Sequence, residues 1–331
     1  MFFLERSKQF KHLTGELSEN RQKVAVIGHM RPDGDCVGSQ VGLCRVLNQL
    51  GIQAVAINQD PVPETLAPFI GDTPWSRPNT LYTAATHVAI LVDCADAERC
   101  GAAIREAFPQ PLINIDHHIS NEGYARSNLI EAQASATAEI LAGMFLDLDV
   151  TIDPVTAQAL YVGIATDTGQ FRFPSTSPRV FKICSELIDR GANPNGAAQA
   201  LYENQTFNQL DLLQRFLRSL RIECSGRVCI GRLTRADYND TQALREDAEG
   251  FVDYARSIQG VDIGVLMEER DDGIKCSLRA KRAAIRVDKL AQVFGGGGHA
   301  CAAGLYQPSV SIDTFHSTFL QAIEAHLTAT V

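Results

Sequence analysis

Short apolar runs that break off into metal-ligating side chains constrain this chain more than any other feature. The runs 23–28 (KVAVIG), 87–92 (HVAILV) and 111–115 (PLINI) lead directly into His29, Asp93 and Asp116-His117-His118, and another run, second in chain order, spans 52–57. Runs this short and apolar read as buried strands. Between the first two, Val37, Val41, Cys44 and Leu47 recur at helical spacing, and Gly51 stands where a helix-terminating glycine belongs. Strand and helix alternate, so the expected fold class is α/β, a doubly wound and mostly parallel sheet with helices on both faces. Ligands of such sheets gather beyond the carboxyl ends of the strands. The histidines and aspartates stand there.

The rest of the chain extends this plan. Residues 1–22 read as an amphipathic helix covering an edge of the domain. Asp153-Pro154 opens a further helix by its capping aspartate and first-turn proline, and the apolar stretch 155–164 runs into Asp167-Thr168-Gly169. A helix over 177–190 ends at Gly191. The stretch 192–196 (ANPNG) reads as the start of a linker with helical segments to 220. A second α/β domain follows, with strands at 221–224, 228–233, 261–268 and 273–279, a helix over 287–294 and the glycines 295–298 before His299. The predicted organisation is a domain over 1–191, a helical linker over 192–220 and a smaller domain over 221–331.

A length of 331 residues favours two domains, and 45% hydrophobic with 21% charged residues is the balance of a globular enzyme. The net charge of −9 argues against sequence-blind duplex binding, which needs a basic surface, but leaves room for a short nucleotide in a local basic pocket. Nine scattered cysteines without a C-x-x-C pair suit reduced thiols. The N-terminus turns charged before a signal-peptide core forms, and no run approaches the roughly 20 apolar residues of a membrane helix. A cytoplasmic protein with no membrane partner is expected.

Taken in order, the donors are His29, Asp33 and Asp35 after the first strand, Asp93 after the third, His117 after the fourth and Asp167 at a helix end. Gly34 is read as the bend that lets Asp33 and Asp35 face neighbouring cations. Carboxylates gathered in one crevice repel unless cations neutralise them. Mixed carboxylate and imidazole donors suit Mn2+ or another divalent first-row metal better than Ca2+, and the lack of thiolates disfavours structural zinc. Two divalent ions about 3.5–4 Å apart are a usual arrangement for hydrolysing phosphate esters. Each residue alone has a plainer reading: Asp93 as a turn residue, or Asp116 as a helix cap beside two surface histidines. Their joint placement argues for a metal centre.

The succession His29-x-x-x-Asp33-x-Asp35, Asp93, Asp116-His117-His118 and Asp167-Thr168-Gly169 resembles the four motifs of the DHH phosphoesterase superfamily. The tetraglycine before His299, with Ala302-Ala303-Gly304 after it, resembles the associated DHHA1 domain. The resemblance spans nearly the whole chain and is nearest to the short oligoribonucleases (nanoRNases) that also dephosphorylate 3′-phosphoadenosine-5′-phosphate. It implies a DHH catalytic domain and a DHHA1 substrate-binding domain across a cleft. It further implies two divalent ions, Mn2+ foremost, one on His29, Asp33 and Asp93, the other on Asp35, Asp93, His117 and Asp167. Asp116 would orient an imidazole, and His118 would lie beside the scissile phosphate as hydrogen-bond donor or general acid. The implied substrates are short RNA oligonucleotides and 3′-phosphoadenosine-5′-phosphate, and pairing of two copies is implied only by the habit of related proteins. Hydrolysis of linear or cyclic dinucleotides, pyrophosphate or longer single strands, and a non-catalytic nucleotide sensor, stay open as alternatives.

In the second domain Gly296, Gly297 and Gly298 are expected to bring backbone N–H groups to a phosphate, with Arg279 and His299 as side-chain contacts and Lys281 as a further basic residue. The competing readings are a flexible hinge for the glycines and a solvated strand face for the two basic residues. The family commonly has Arg-Ser-Lys where this chain has Arg279-Ala280-Lys281, which puts a contact by residue 280 in doubt. For Ser135, followed by Thr137 and Glu139, the resemblance implies a place near the site, and the plainer reading is the N-cap of a helix from 136. Cys36 is read as a small buried core residue.

Overall fold

A computed structural model of the protein describes residues 1–329, except for the side chains of His299 and Ala329. The chain divides between Asn204 and Gln205 into two compact units. In the first, strands β1 (Val24–Ile27), β2 (Ala54–Ile57), β3 (Trp75–Ser76), β4 (Val88–Val92), β5 (Ile113–Asp116) and β6 (Ser127–Ile130) form one sheet. Their order is β3-β2-β1-β4-β5-β6 and every pairing is parallel. Helices α1 (Leu4–Glu19), α2 (Gly34–Gln49), α3 (Ala102–Ala107), α4 (Thr137–Asp147), α5 (Pro154–Asp167), α6 (Pro178–Asp189) and α7 (Pro194–Tyr202) accompany it.

All four residues of β1 are fully buried, as a central parallel strand covered on both faces requires. From β1 the chain winds outward to β2 and β3, then returns to place β4 on the other side of β1. The point of reversal between β1 and β4 leaves a crevice at their carboxyl ends. Helix α2 lies so close to α5 that a Cβ added at Gly38 would stand 2.3 Å from the Ala159 carbonyl oxygen. The Asp153 carboxylate caps α5 by accepting from the Thr156 amide, and the Ser177 hydroxyl caps α6.

Two points differ from the sequence reading. β3 and β6 were not foreseen, because β3 is two residues long and β6 begins with polar Ser127 and Asn128. β2 starts at Ala54, two residues later than the apolar run suggested. Helix α1 packs on α4: the Phe10 and Phe145 rings lie 5.8 Å apart, and the Phe2 and Phe3 amides donate to the Asp147 carboxylate at 2.6 and 2.8 Å.

The second unit opens with α8 (Phe207–Ser219), so α7 and α8 fall in different units. Strands β7 (Arg221–Glu223), β8 (Val228–Leu233), β9 (Ile263–Glu269), β10 (Gly273–Ala280), β11 (Gly297–His299) and β12 (Ala302–Pro308) make a sheet of order β11-β12-β10-β9-β8-β7. The β8–β9 pair is parallel and the other pairs are antiparallel. Helices α9 (Arg235–Thr241), α10 (Phe251–Ser257), α11 (Val287–Gln292) and α12 (Ile312–Ala329) complete it. The second half of the tetraglycine lies in an edge strand: Gly297 and Gly298 pair with Gly304 and Ala303. Glycine is needed there for close backbone approach, since a Cβ at Gly296 would stand 2.3 Å from the Gly304 carbonyl oxygen. All nine cysteines are unpaired. Among the described residues no helix is long and apolar enough to cross a membrane.

Candidate metal centre

The crevice between β1 and β4 collects the side chains singled out above. Past β1, His29 is buried and its Nδ1 faces the Met30 carbonyl oxygen at 2.8 Å. A carbonyl only accepts, so Nδ1 carries the proton and Nε2 is turned into the crevice, the orientation of a metal-ligating imidazole. Asp33 caps α2 through a 3.0 Å bond from the Cys36 amide, and its other oxygen lies 3.7 Å from His29 Nε2. Gly34 does not make the bend expected of it. It is the first residue of α2, outside the left-handed region, and a Cβ there would stand 2.3 Å from Thr166 Oγ1.

Asp35 is buried at the N-terminus of α4, where its oxygens accept from the amides of Thr137 and Ala138 at 2.7 and 2.8 Å. A helix N-terminus with its unsatisfied donors suits a carboxylate. This bond replaces the expected Ser135 cap: the N-cap residue is Ala136, and the Ser135 hydroxyl is buried without a partner among the described residues. Asp93 directly follows β4 and sits in the left-handed region with φ +56, a conformation aspartate tolerates better than most residues. Its Oδ2 lies 3.3 Å from His29 Nε2 and its Oδ1 lies 3.6 Å from His117 Nε2. His117 Nε2 is also 3.3 Å from Asp167 Oδ2 and 3.9 Å from Asp35 Oδ2, while its Nδ1 faces the Ala134 carbonyl at 3.4 Å.

Donor atoms therefore gather in linked groups, each within 4.8 Å: His29, Asp33 and Asp93; Asp35, His117 and Asp167; and Asp93 with His117 and His118. Asp116 stands behind them, fully buried, with one oxygen 2.8 Å from His118 Nδ1 and the other accepting from Asn121 at 2.6 Å. The imidazole that it orients is His118.

The electrostatics fit cations at this place. Burial, and then the charge of Asp35, push the Asp93 and Asp167 carboxyls well above the ordinary carboxylate value. Burial pulls His29 down, but hydrogen bonds and charge from Asp33 and Asp93 outweigh it and raise the imidazole to about 10. Without metal the crevice holds protons where positive charge is needed. Cys36 and Cys94 are buried beside it, and burial together with the Asp93 charge keeps both as neutral thiols, so they offer no thiolate. The donor set is oxygen and imidazole nitrogen, as divalent first-row metals accept.

The residues expected to hold substrate lie in the second unit. Arg279 is half-buried on β10 with its Nη1 donating to the Leu278 carbonyl at 3.1 Å, and Lys281 is exposed with its Nζ on the Ile258 carbonyl at 2.6 Å. Gly297 and Gly298 lie on edge strand β11, preceded by Gly296, and the side chain of His299 lies outside the described residues. Sequence reasoning missed Arg99, Asn121 and Arg179. Their links to His118, Asp116 and Glu139 join residues 19, 5 and 40 positions apart and leave no local pattern.

A doubly wound domain with carboxylate and imidazole donors converging at its switch point defines a metal-centre domain. Comparison with known proteins makes this specific: residues 23–164 match the DHH family, N-terminal domain, and residues 227–325 match the DHHA1 domain. The chain belongs to the DHH family. It is 30% identical to the bifunctional oligoribonuclease and PAP phosphatase NrnA of Thermus thermophilus, across 92% of this chain and 90% of that protein. It is 28% identical to the protein of the same name from Bacillus subtilis, across 83% and 86% of the two chains. Among solved structures, an exopolyphosphatase-related protein from Bacteroides fragilis superposes with a TM-score of 0.87 at 23% identity, covering 97% of this chain and 98% of the other. That likeness shows the shared fold.

Proposed function

We propose that the protein is a two-metal phosphoesterase that hydrolyses short oligoribonucleotides to mononucleotides and 3′-phosphoadenosine-5′-phosphate to AMP. The observation carrying this reading is the division of Asp93, one oxygen toward His29 and the other toward His117. A carboxylate divided in this way is suited to bridging two cations. The substrate assignment draws support from the Thermus relative, named for both activities and alike over 92% of this chain.

His29, Asp33 and Asp93 would hold one ion, and Asp35, Asp93, His117 and Asp167 the other. Two divalent ions, best Mn2+ for this donor set, would supply an activated water and neutralise charge on the phosphate. The protein's own part is largely positioning. The α4 amides fix Asp35, the Met30 and Ala134 carbonyls orient the two ligand imidazoles, and Asp116 fixes the His118 ring. His118 Nε2, on the far side of the ring from Asp116, is the atom offered to a phosphate oxygen or the leaving group. On the second unit Arg279, the glycines 296–298 and His299 are the proposed substrate-holding groups.

The test is Mn2+-dependent turnover of a 5′-labelled diribonucleotide, a long RNA and 3′-phosphoadenosine-5′-phosphate, side by side. Fast cleavage of the dinucleotide and phosphate release from the third, with slow attack on the long strand, is expected. Preference for the long strand, or inertness toward all three, overturns the substrate assignment.

A further inference from the structure

Resting on the two-metal reading above, we propose that Arg99 is a substrate-contacting residue that grips the phosphate at the metal centre. Arg99 lies in the turn following Asp93, and that turn is firmly built. Asp96 Oδ1 accepts from the amides of Glu98 and Arg99 at 2.9 and 3.1 Å, and Gly101 closes the turn at φ +96, where a side chain would be strained. The Arg99 carbonyl accepts from the Met30 amide at 2.7 Å, tying the turn to the segment just beyond His29. The residue is thus fixed between the loops that carry His29 and Asp93. Its Nη1 reaches to 3.3 Å from His118 Nε2, its charge helps hold the Asp33 carboxyl down, and among the described residues no carboxylate lies within ion-pair distance of it. A guanidinium has five donors in a planar fork, so this contact leaves several for an anion.

Charge balance gives the reason for a cation here. Asp33, Asp35, Asp93, Asp116 and Asp167 bring five negative charges. Two divalent ions would bring four positive ones, leaving the loaded centre one negative charge beyond neutral. An incoming phosphate would meet that excess unless a fixed cation stood beside it. Arg99 supplies one in the geometry that suits two phosphate oxygens. Contact with His118 in the free protein holds the side chain in waiting, and the fork turns to the phosphate when substrate enters. The rival role is a purely structural counter-charge steadying His118 and its surroundings.

Calorimetric titration of inorganic phosphate into the Mn2+-loaded full chain separates the two, using wild type, Arg99→Ala and Arg99→Lys, with Mn2+ affinity measured for each. Phosphate binding should weaken about ten- to a hundredfold in the alanine variant, and less in the lysine variant, which keeps charge but loses the fork. Mn2+ affinity should stay near the wild-type value, and KM for the diribonucleotide should rise more than kcat falls. Unchanged phosphate binding in Arg99→Ala, no phosphate binding by wild type, or a loss that merely follows weakened Mn2+ binding would overturn the proposal. Should the alanine variant fail to fold, Arg99→Gln, with its neutral planar amide, carries the same expectation. If wild type hydrolyses neither nucleotide, the functional reading falls, and the phosphate titration still judges Arg99.

Discussion

Nε2 of His29 lies 3.3 Å from Oδ2 of Asp93, and the other oxygen of that carboxylate faces His117. One carboxylate therefore serves both sides of the crevice, from a backbone held at φ +56. Asparagine also tolerates that conformation, so Asp93→Asn removes charge without forcing the strand end to move. Hydrolysis should fall by roughly 10²–10³ or more, by analogy with the loss of a single transition-state stabiliser. Mn2+ stoichiometry, read by calorimetry, should drop below two. Melting of the metal-free variant should move upward, because a buried carboxyl that must be protonated or left charged beside Asp35 is replaced by a neutral amide. Near-normal turnover would overturn the bridging role proposed for Asp93.

The same crowding sets a pH dependence. Asp93 and Asp167 are raised above the ordinary value of 3.8 by burial and by Asp35, so the folded metal-free chain binds protons that the unfolded chain releases. Their stabilising contribution is complete below 3.8 and is lost as pH rises through the raised values. His29, raised from 6.5 to about 10 by Asp33 and Asp93 against the opposing effect of burial, acts in the same direction. Tm in EDTA should thus decline as pH rises above 3.8, with His29 adding to the fall between 6.5 and about 10. With Mn2+ the decline should flatten or reverse, since metal displaces those protons and binds better as they leave. A flat profile in EDTA would mean that these groups do not share one charged crevice.

The donors were legible because they follow strands whose apolar runs announce them. His29, Asp93 and His117 need only a parallel sheet to bring them together, and the alternation of runs predicts that sheet. β3 and β6 were hidden by shortness and polarity, and the strand order β3-β2-β1-β4-β5-β6 is written in no local spacing. The partners of the donors were less visible still. Asp35 meets Thr137 and Ala138 across about a hundred residues, a relation that depends on α2 packing against α4 and α5. Gly34 shows the limit of reading by residue type: glycine was anticipated for backbone freedom, and the structure uses it for lack of a side chain.

That correction leads to a further prediction. A methyl group at residue 34 would stand 2.3 Å from Thr166 Oγ1, whose hydroxyl bonds to the carbonyls of Val162 and Gly163 at 3.0 Å each. Thr166 precedes Asp167, so making room for the methyl displaces a donor of the crevice. Gly34→Ala should cost about 1–3 kcal/mol, as overpacking of a tight contact does. It should also weaken Mn2+ binding, measured by calorimetry. Pairing it with Thr166→Ser, which removes the γ-methyl group also close to the new Cβ, should recover part of both losses. Unaltered Mn2+ affinity in Gly34→Ala would separate this contact from the centre.

A strut outside the donor cluster carries the last prediction. Glu139 is fully buried in the first turn of α4, one oxygen accepting from the Ser135 amide at 2.5 Å and the other from Arg179 Nε at 2.6 Å. Arg179 also donates to the Gln133 carbonyl at 3.2 Å and lies 4.3 Å above the Phe3 ring. These bonds fix the loop that offers the Ala134 carbonyl to His117 and the α4 amides to Asp35. Two donors therefore depend on a pair that touches neither. Arg179→Ala leaves the Glu139 charge buried with only a backbone partner. Because the Arg179 side chain is 30% exposed, water offsets part of the loss. A cost of about 1–3 kcal/mol is expected, below that of breaking a fully buried pair. Mn2+ affinity should fall about ten- to a hundredfold, as when an outer partner of a metal ligand is lost. Arg179→Lys should restore part of it, since it returns the charge without the two-point grip. A lowered Tm with unchanged Mn2+ affinity would confine the pair to folding and detach it from the metal centre.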